Sequence, residues 1–380
     1  MSNHLTTTLQ QHIHARVEQG LHRQRHVITV DDHMTHFSSN DYLSLASDPR
    51  IKRAFQSAFN SYPVGSGGSM VVSGYHPTHR VLENAFADAL QVDDCLLFSS
   101  GYTANLSVMC LLAQANASIL IDKAVHASIY DGLKLAQAKY YRYLHHDLND
   151  LIKKIQTLNE RQSLENLVVM TESVFSMSGQ CSLLADIATI TGKHGSALIV
   201  DEAHAFGVFG SEGLGAVIGA GLTQNEVPLR IIPFGKAMGG VGAIVAGNGV
   251  WIDALLQMRP VVYSTAVSPA YTHGLLETLA IIRQADSRRE KLKNLIQYFR
   301  KAIQQSPLKW RDSSSPIQQL QLGCPHRATN AAARLLKHDI VCLPMRQPTV
   351  NKEETGLRVI LNYDHEPEQI DLLFKQLHAL

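Results

Sequence analysis

Lys236 and Asp201 are the two residues whose types and setting could do covalent chemistry together. The lysine lies in Ile-Pro-Phe-Gly-Lys-Ala-Met-Gly-Gly-Val-Gly-Ala (231–242), among residues too small to crowd its amine. Upstream, the apolar run Ala-Leu-Ile-Val (197–200) ends in Asp201, followed by Glu202, Ala203 and His204. A lysine amine can form an imine with an aldehyde. An acid held dry at a strand end can keep a pyridine nitrogen protonated, so that the ring absorbs a carbanion's electrons. Those are the requirements of pyridoxal phosphate chemistry. Taken singly, a strand-end acid and a solvated loop lysine are both ordinary.

Two further stretches make the pair specific. One is Gly65-Ser66-Gly67-Gly68-Ser69-Met70-Val71-Val72-Ser73-Gly74, followed by His79, Leu82 and Glu83. The other is Leu96-Leu97-Phe98-Ser99-Ser100-Gly101-Tyr102-Thr103-Ala104-Asn105, a short apolar strand running into a helix start. A helix N-terminus opened by glycine offers backbone N–H groups and the positive end of a dipole, which suits a phosphate. A glycine-rich loop is weak evidence by itself. Ahead of an acid and a lysine, in this order, it is much stronger.

With these stretches the chain resembles the α-oxoamine synthases, a family within the fold-type I pyridoxal phosphate enzymes. The resemblance is carried by Phe37-Ser38-Ser39-Asn40-Asp41-Tyr42-Leu43, His126-Ala127-Ser128-Ile129 and Thr171-Glu172-Ser173-Val174-Phe175-Ser176-Met177. Asp201-Glu202-Ala203-His204, Tyr263-Ser264-Thr265 and Arg346-Gln347-Pro348-Thr349-Val350 continue it in the family's order. It implies a large α/β domain, with a mostly parallel sheet covered by helices, plus a smaller α+β domain. By the same resemblance Lys236 holds the cofactor and moves protons, Asp201 pairs with the pyridinium nitrogen, and His204 and Ser176 reach the phenolic oxygen. His126 stacks on the ring and donates a proton during condensation. Gly101 and Tyr102 bind the phosphate, while Ser264 and Thr265 reach it from the second subunit of a homodimer. Arg346 holds the substrate carboxylate, where a planar guanidinium suits bidentate binding, and Asn40 stands at the entrance of that pocket. Read without the family, His126 is equally a helix-start histidine bonded to backbone, and Arg346 a surface arginine.

The implied reaction is a decarboxylative condensation of an amino acid, L-alanine, with a pimeloyl thioester of coenzyme A or acyl carrier protein, giving 8-amino-7-oxononanoate. A sister reaction, glycine plus acetyl-CoA giving 2-amino-3-oxobutyrate, uses the same framework. A non-catalytic paralogue that binds cofactor or a partner is the alternative of another class. Four departures from the family pattern bear on that choice. Pro233 stands where threonine is usual, and Met177-Ser178-Gly179-Gln180 lacks two acids. Met70 replaces a frequent arginine, and His22 falls where a basic residue is expected near the acyl-carrier entrance.

The elements that must position these residues follow from periodicity. Apolar runs at Leu96–Ser100, Ser118–Asp122, Tyr140–Leu144, Leu167–Glu172, Ala197–Asp201, Leu229–Pro233 and Ala243–Ala246 predict strands. Helical patterns at 127–136, 148–158 and 184–194 alternate with them, which indicates a largely parallel sheet. Ligands bind beyond the carboxyl ends of strands in such sheets, where Asp201 and Ser176 fall. A helix is expected over 7–23 and another over 287–306; shorter strands and helices follow up to a last helix at 367–377. The expected organisation is an N-terminal segment (1–45) packing with the small domain, a large cofactor-binding domain (46–279) and a small C-terminal domain (280–380).

Composition excludes several other classes. With 34 basic and 33 acidic residues the formal net charge is +1, so nothing calls for a nucleic acid. Hydrophobic residues at 45% supply a core without an uninterrupted membrane-length run, and the first residues lack a signal-peptide pattern; a soluble cytoplasmic protein is expected. Five scattered cysteines (95, 110, 181, 324, 342) include no Cys-x-x-Cys pair, so neither disulfides nor a metal is expected. Cys95 and Cys110 read as buried apolar residues. The histidine pairs 22/26, 33/36 and 145/146 read as surface residues.

Overall fold

In the computed structural model, residues 3–25, 27, 33–162 and 166–379 are described; His26 lies outside them. By its internal contacts the chain divides into two units. One comprises Asn40–Ser176 and Cys181–Glu290; the other comprises Met1–Ser39, Met177–Gln180 and Lys291–Leu380.

The larger unit is built on a seven-stranded sheet. In spatial order its strands are Asp94–Phe98, Ala243–Gly247, Leu229–Pro233, Ala197–Asp201, Leu167–Glu172, Ser118–Asp122 and Tyr140–Tyr143. Only Ala243–Gly247 runs antiparallel to its neighbours; the other pairings are parallel. The central strands are buried on both faces, which is why they read as continuous apolar runs rather than alternating ones.

Successive side chains still turn to opposite faces. Leu198 and Val200 join one core, whereas Ile199 joins the other with Met170 and Ile231. That second core also contains Ala104, Val108 and Met109 of the helix Gly101–Gln114 and Ile129 of the helix Ala127–Leu135. Two-residue periodicity therefore brings the strand-end residues Glu172, Asp201 and Pro233 toward the face covered by those two helices.

The expected bounds of Ser118–Asp122, Leu167–Glu172, Ala197–Asp201 and Leu229–Pro233 coincide with the observed ones. Among the helices of the larger unit that went unread are Pro49–Ser61, Pro77–Leu90 and Pro269–Arg283, each with proline in its first turn and a side-chain cap from Asp48, His76 or Ser268. Cys95 is buried, as expected, but Cys110 only partly so.

The smaller unit has a three-stranded antiparallel sheet, Pro344–Met345, Gly356–Ile360 and Ile317–Gln321, and a parallel pair, Thr35–His36 with Ile340–Val341. Its N-terminal helix runs His4–Glu18 and stops short of the expected end, the chain turning at Gly20 with φ of 65°. No helix among the described residues is long and apolar enough to cross a membrane.

Candidate active site

Asp201 closes its strand and is 4% exposed. Its Oδ1 accepts the backbone N–H of Ala203 at 2.9 Å, and its Oδ2 accepts the side-chain amide of Asn105 at 2.9 Å. Both are neutral donors, so the charge is oriented without being neutralised.

Lys236 is half-buried on the tight connection between the antiparallel strands Leu229–Pro233 and Ala243–Gly247. Its carbonyl accepts the N–H of Gly239 at 2.8 Å. Gly239 has φ of 59°, and a Cβ there would stand 2.5 Å from the Ala46 nitrogen, so the connection tolerates no side chain at this point.

His126 caps the helix Ala127–Leu135, its Nδ1 accepting the N–H of Ser128 at 3.2 Å. It is thus the backbone-bonded helix-start histidine of the plainer sequence reading, a position that leaves the ring's other edge available. The residue keeps an exposed side, yet desolvation lowers its pKa below the ordinary imidazole value. The positive charge of Lys236 acts in the same direction, against the negative charges of Asp201 and Asp131. The charges of Lys236 and Asp201 therefore converge on one imidazole.

His204 is buried, with Nδ1 2.6 Å from the Tyr42 hydroxyl, which in turn faces Asn40 Oδ1 at 3.4 Å. Asp41 holds the same turn by accepting the N–H groups of Leu45 and Ala46. Ser176 is buried beyond the neighbouring strand, and its N–H donates to Glu172 Oε2 at 3.3 Å.

Gly101 and Tyr102 begin the helix Gly101–Gln114, whose N-cap Ser100 accepts the N–H of Thr103 at 3.1 Å. Gly101 packs so closely on Pro233 that a Cβ would approach its Cγ to 2.6 Å. The Tyr102 hydroxyl donates to Asp131 at 2.5 Å. Ser264 and Thr265 line a small cavity with Ser99, Thr103 and Met70 of the same chain, and Thr265 is bridged to Ser69.

Arg346 belongs to the smaller unit. There it lines a cavity of about 170 Å³ with Arg23, Arg358 and Ser38, and its Nη1 donates to the Gly20 carbonyl at 2.6 Å. Burial and the neighbouring Arg23 charge lower its pKa.

Asn105, Glu172 and Arg358 were given no role in the sequence reading. Glu172 carried the signal that found Asp201, an apolar strand ending in an acid. Burial, then the Asp201 charge, raises its carboxyl well above the usual range, and its Oε1 has no hydrogen-bond partner among the described residues. One expectation is corrected. His145 is not a surface residue: its side chain is 9% exposed, and Nδ1 lies 2.9 Å from Asp122 Oδ1. The parallel pairing of Asp122 with Tyr143 brings these partners together.

The donor set of the larger unit suits pyridoxal phosphate. A buried carboxylate held by an amide and a backbone N–H can face a pyridinium, a lysine and an imidazole share its field, and a glycine-led helix start, packed too closely for a side chain, can meet a phosphate.

The chain belongs to the aminotransferase class I and II family, whose model matches residues 32–377. Its relatives narrow that class. An 8-amino-7-oxononanoate synthase of Alkalilimnicola ehrlichii is 37% identical, covering 98% of this chain and 97% of its own. One of a Marinomonas species is 38% identical over 91% of this chain and 85% of its own. Among solved structures, an 8-amino-7-oxononanoate synthase from Francisella tularensis superposes with a TM-score of 0.80 at 31% identity, covering 92% of this chain and 98% of that one. Sphingomonas wittichii serine palmitoyltransferase superposes with a TM-score of 0.89 at 25% identity, covering 100% and 98%.

Proposed function

We propose that this chain catalyses the reaction for which its near full-length relatives are named: the pyridoxal phosphate-dependent joining of L-alanine to a pimeloyl thioester, giving 8-amino-7-oxononanoate, carbon dioxide and a free thiol. The observation that carries this reading is the buried strand-end Asp201, linked by hydrogen bonds through Asn105 and Ser128 to His126, in a chain 37% identical to such an enzyme over 98% of its length.

When bound, the cofactor supplies an electron sink for the charge left at the amino acid's α-carbon. Lys236 takes the proton from that carbon and later returns one. Asp201 holds a proton at the ring nitrogen; its two neutral donors orient the carboxylate without quenching its charge. His126 would serve the ring's face and would give a proton to the condensing acyl oxygen. His204, braced by Tyr42, and Ser176 serve the phenolic oxygen. The amides of Gly101 and Tyr102 serve the phosphate. Arg346, with Arg358 beside it in the same cavity, takes the substrate carboxylate; Asn40 is assigned to the entrance of that pocket by the family resemblance alone.

Ser264 and Thr265 reach the phosphate of a second copy in a homodimer. The large exposed side chains Val72, Val241 and Tyr263 on the same unit favour burial under such a partner. Thioesters of coenzyme A or acyl carrier protein as substrates point to work in the cytoplasm.

A thiol-release assay crossing alanine, glycine and serine with pimeloyl and acetyl thioesters tests the reading. Alanine with the pimeloyl thioester should release thiol fastest. Preference for glycine with acetyl-CoA would move the chain to the sister reaction, and cofactor binding without any release would make it the impaired paralogue.

A further inference from the structure

A buried hydrogen-bond chain runs from Asp201 to His126, and its hydrogens can be assigned by counting donors and acceptors. Asn105, one turn into the helix Gly101–Gln114, is 2% exposed. Its side-chain Nδ2 lies 2.9 Å from Asp201 Oδ2 and 3.0 Å from Ser128 Oγ. Ser128 is 1% exposed, and its Oγ lies 2.8 Å from His126 Nδ1. The backbone N–H of Ser128 donates to the same nitrogen at 3.2 Å.

A carboxylate only accepts, so the Asn105 atom facing Asp201 must be the amide nitrogen. The amide keeps that orientation even though its Oδ1 has no hydrogen-bond partner among the described residues. The second amide hydrogen goes to Ser128 Oγ. Having accepted it, the hydroxyl can direct its own hydrogen to His126 Nδ1. That nitrogen then receives two donors, the hydroxyl and the backbone N–H, and can carry no hydrogen itself.

We propose that Asn105 and Ser128 are positioning residues that lock a neutral His126 in the tautomer carrying its proton on Nε2, the ring nitrogen that takes no part in the helix cap. The proposal rests on the reading of His126 as a proton donor. It adds which nitrogen gives the proton and what holds the proton there. The charged and titratable groups facing the ring are Asp201, Lys236 and Asp131, and the Glu172 carboxyl is near the backbone of His126. Desolvation together with Lys236 favours the neutral ring, against the two aspartates. A catalytic imidazole in the wrong tautomer has its proton on the wrong side, a defect whose cost in other enzymes is large.

The test is nitrogen NMR of the full-length holoenzyme labelled at its histidine ring nitrogens, with the His126 signals identified by their loss in His126→Gln. At pH 7 the expected spectrum has an unprotonated Nδ1 and a protonated Nε2. A protonated Nδ1 or a doubly protonated ring overturns the proposal. In Ser128→Ala and Asn105→Ala the ring should divide between tautomers, and Ser128→Thr, which keeps the hydroxyl, should restore the single form.

Kinetics are read on the Ser128 variants alone, because Asn105 also touches Asp201. For Ser128→Ala, kcat should fall in proportion to the Nε2–H fraction, with KM for alanine little changed. If the tautomer shifts while kcat stays at the wild-type value, the positioning role is wrong. A wild-type protein with the expected tautomer but no alanine-dependent thiol release would refute the proposed reaction and leave the tautomer assignment standing.

Discussion

Asp201 and Glu202 are consecutive, both carboxylates and both almost fully buried, yet their surroundings differ in kind. Alternation along the strand turns them to opposite sides. Glu202 is neutralised inside the protein: Arg230 Nη2 donates to its Oε1 at 3.1 Å, and the N–H groups of Ala216 and Val217 donate to its two oxygens. Gly215 makes room for this cluster; with φ of 102°, it would bring a Cβ within 2.1 Å of Glu202 Oε2. Asp201 has an amide and a backbone N–H instead. A buried acid with its own cation is occupied with holding the fold together, whereas one held by neutral dipoles still has charge to offer a ligand.

The contrast is tested first at Glu202. Glu202→Ala leaves Arg230 buried without its counter-charge, which should cost about 3–5 kcal/mol of unfolding free energy. Denaturant titration measures the loss, and the folded fraction should turn over near the wild-type rate. Normal stability with abolished turnover would mean that Glu202, rather than its neighbour, faces the chemistry.

Asp201→Asn should do the reverse. The amide is close in shape but cannot hold a proton on the ring nitrogen, and the loss of a charge from a preorganised site typically lowers turnover by about 10³-fold. That corresponds to about 4 kcal/mol in the barrier. Cofactor should still bind, and the unfolding midpoint should move little. Near-normal turnover in this variant would sink the assignment of Asp201 to the ring nitrogen.

Glu83 and His365 extend the comparison to buried groups whose titration opposes or supports folding. Burial raises the Glu83 carboxyl to about 7, against the hydrogen bonds it accepts from Tyr75 and the N–H of Leu97. With the folded pKa above the unfolded one, its stabilisation is complete below pH about 4.5 and is lost as pH rises through 7. The full span is about 3 kcal/mol. His365, stacked on Phe37 at 4.3 Å, is lowered by burial to about 4. Its sign is opposite: the stabilisation is complete above about 6.5 and is lost as pH falls through 4. Unfolding curves between pH 4.5 and 7 should therefore become steeper with pH in Glu83→Gln, where the His365 slope is no longer offset. An unchanged profile would show that Glu83 is not buried as a neutral acid.

What the amino-acid sequence disclosed has a physical pattern. Strands buried on both faces must be apolar throughout, so their polar ends stand out; Ser118–Asp122 and Ala197–Asp201 could be bounded to the residue. The expected mostly parallel α/β architecture and pyridoxal phosphate chemistry hold for the same reason, since Asp201 marks a strand end. Asn105 gave no comparable signal. Its distinction is a partner 96 positions away, joined to it only when the helix Gly101–Gln114 is laid on the sheet. His145 was misread because its acid, Asp122, lies 23 positions upstream across a parallel strand pair. The missed helices had legible starts in Asp48-Pro49 and Ser268-Pro269, where a capping side chain precedes a proline suited to a first turn.

The smallest expected effect concerns Pro233, where a hydroxyl is usual in the α-oxoamine synthases. Pro233 ends its strand on the same face as Ile231, and its ring lies against Gly101 at the start of the proposed phosphate helix. The position is therefore adjacent to the helix N-terminus, but proline offers neither a hydroxyl nor an N–H. A hydrogen bond to a charged group contributes on the order of 1.5–3 kcal/mol, so Pro233→Thr could tighten cofactor binding by about 10- to 100-fold. Two effects of the substitution oppose that gain. Threonine gives up the ring contact with Gly101, and it restores conformational freedom to the unfolded chain, which costs about 0.4–1 kcal/mol of stability. The stability term does not enter the dissociation constant, whereas the packing term does, through any shift of the helix start. Tightening near the lower end, about tenfold, is therefore expected, with slower cofactor loss on dialysis and a slightly lower unfolding midpoint. Equilibrium dialysis of the two proteins decides the matter: binding that is unchanged or weaker would mean that the proline ring's support of Gly101 is worth at least as much as the hydroxyl it displaces.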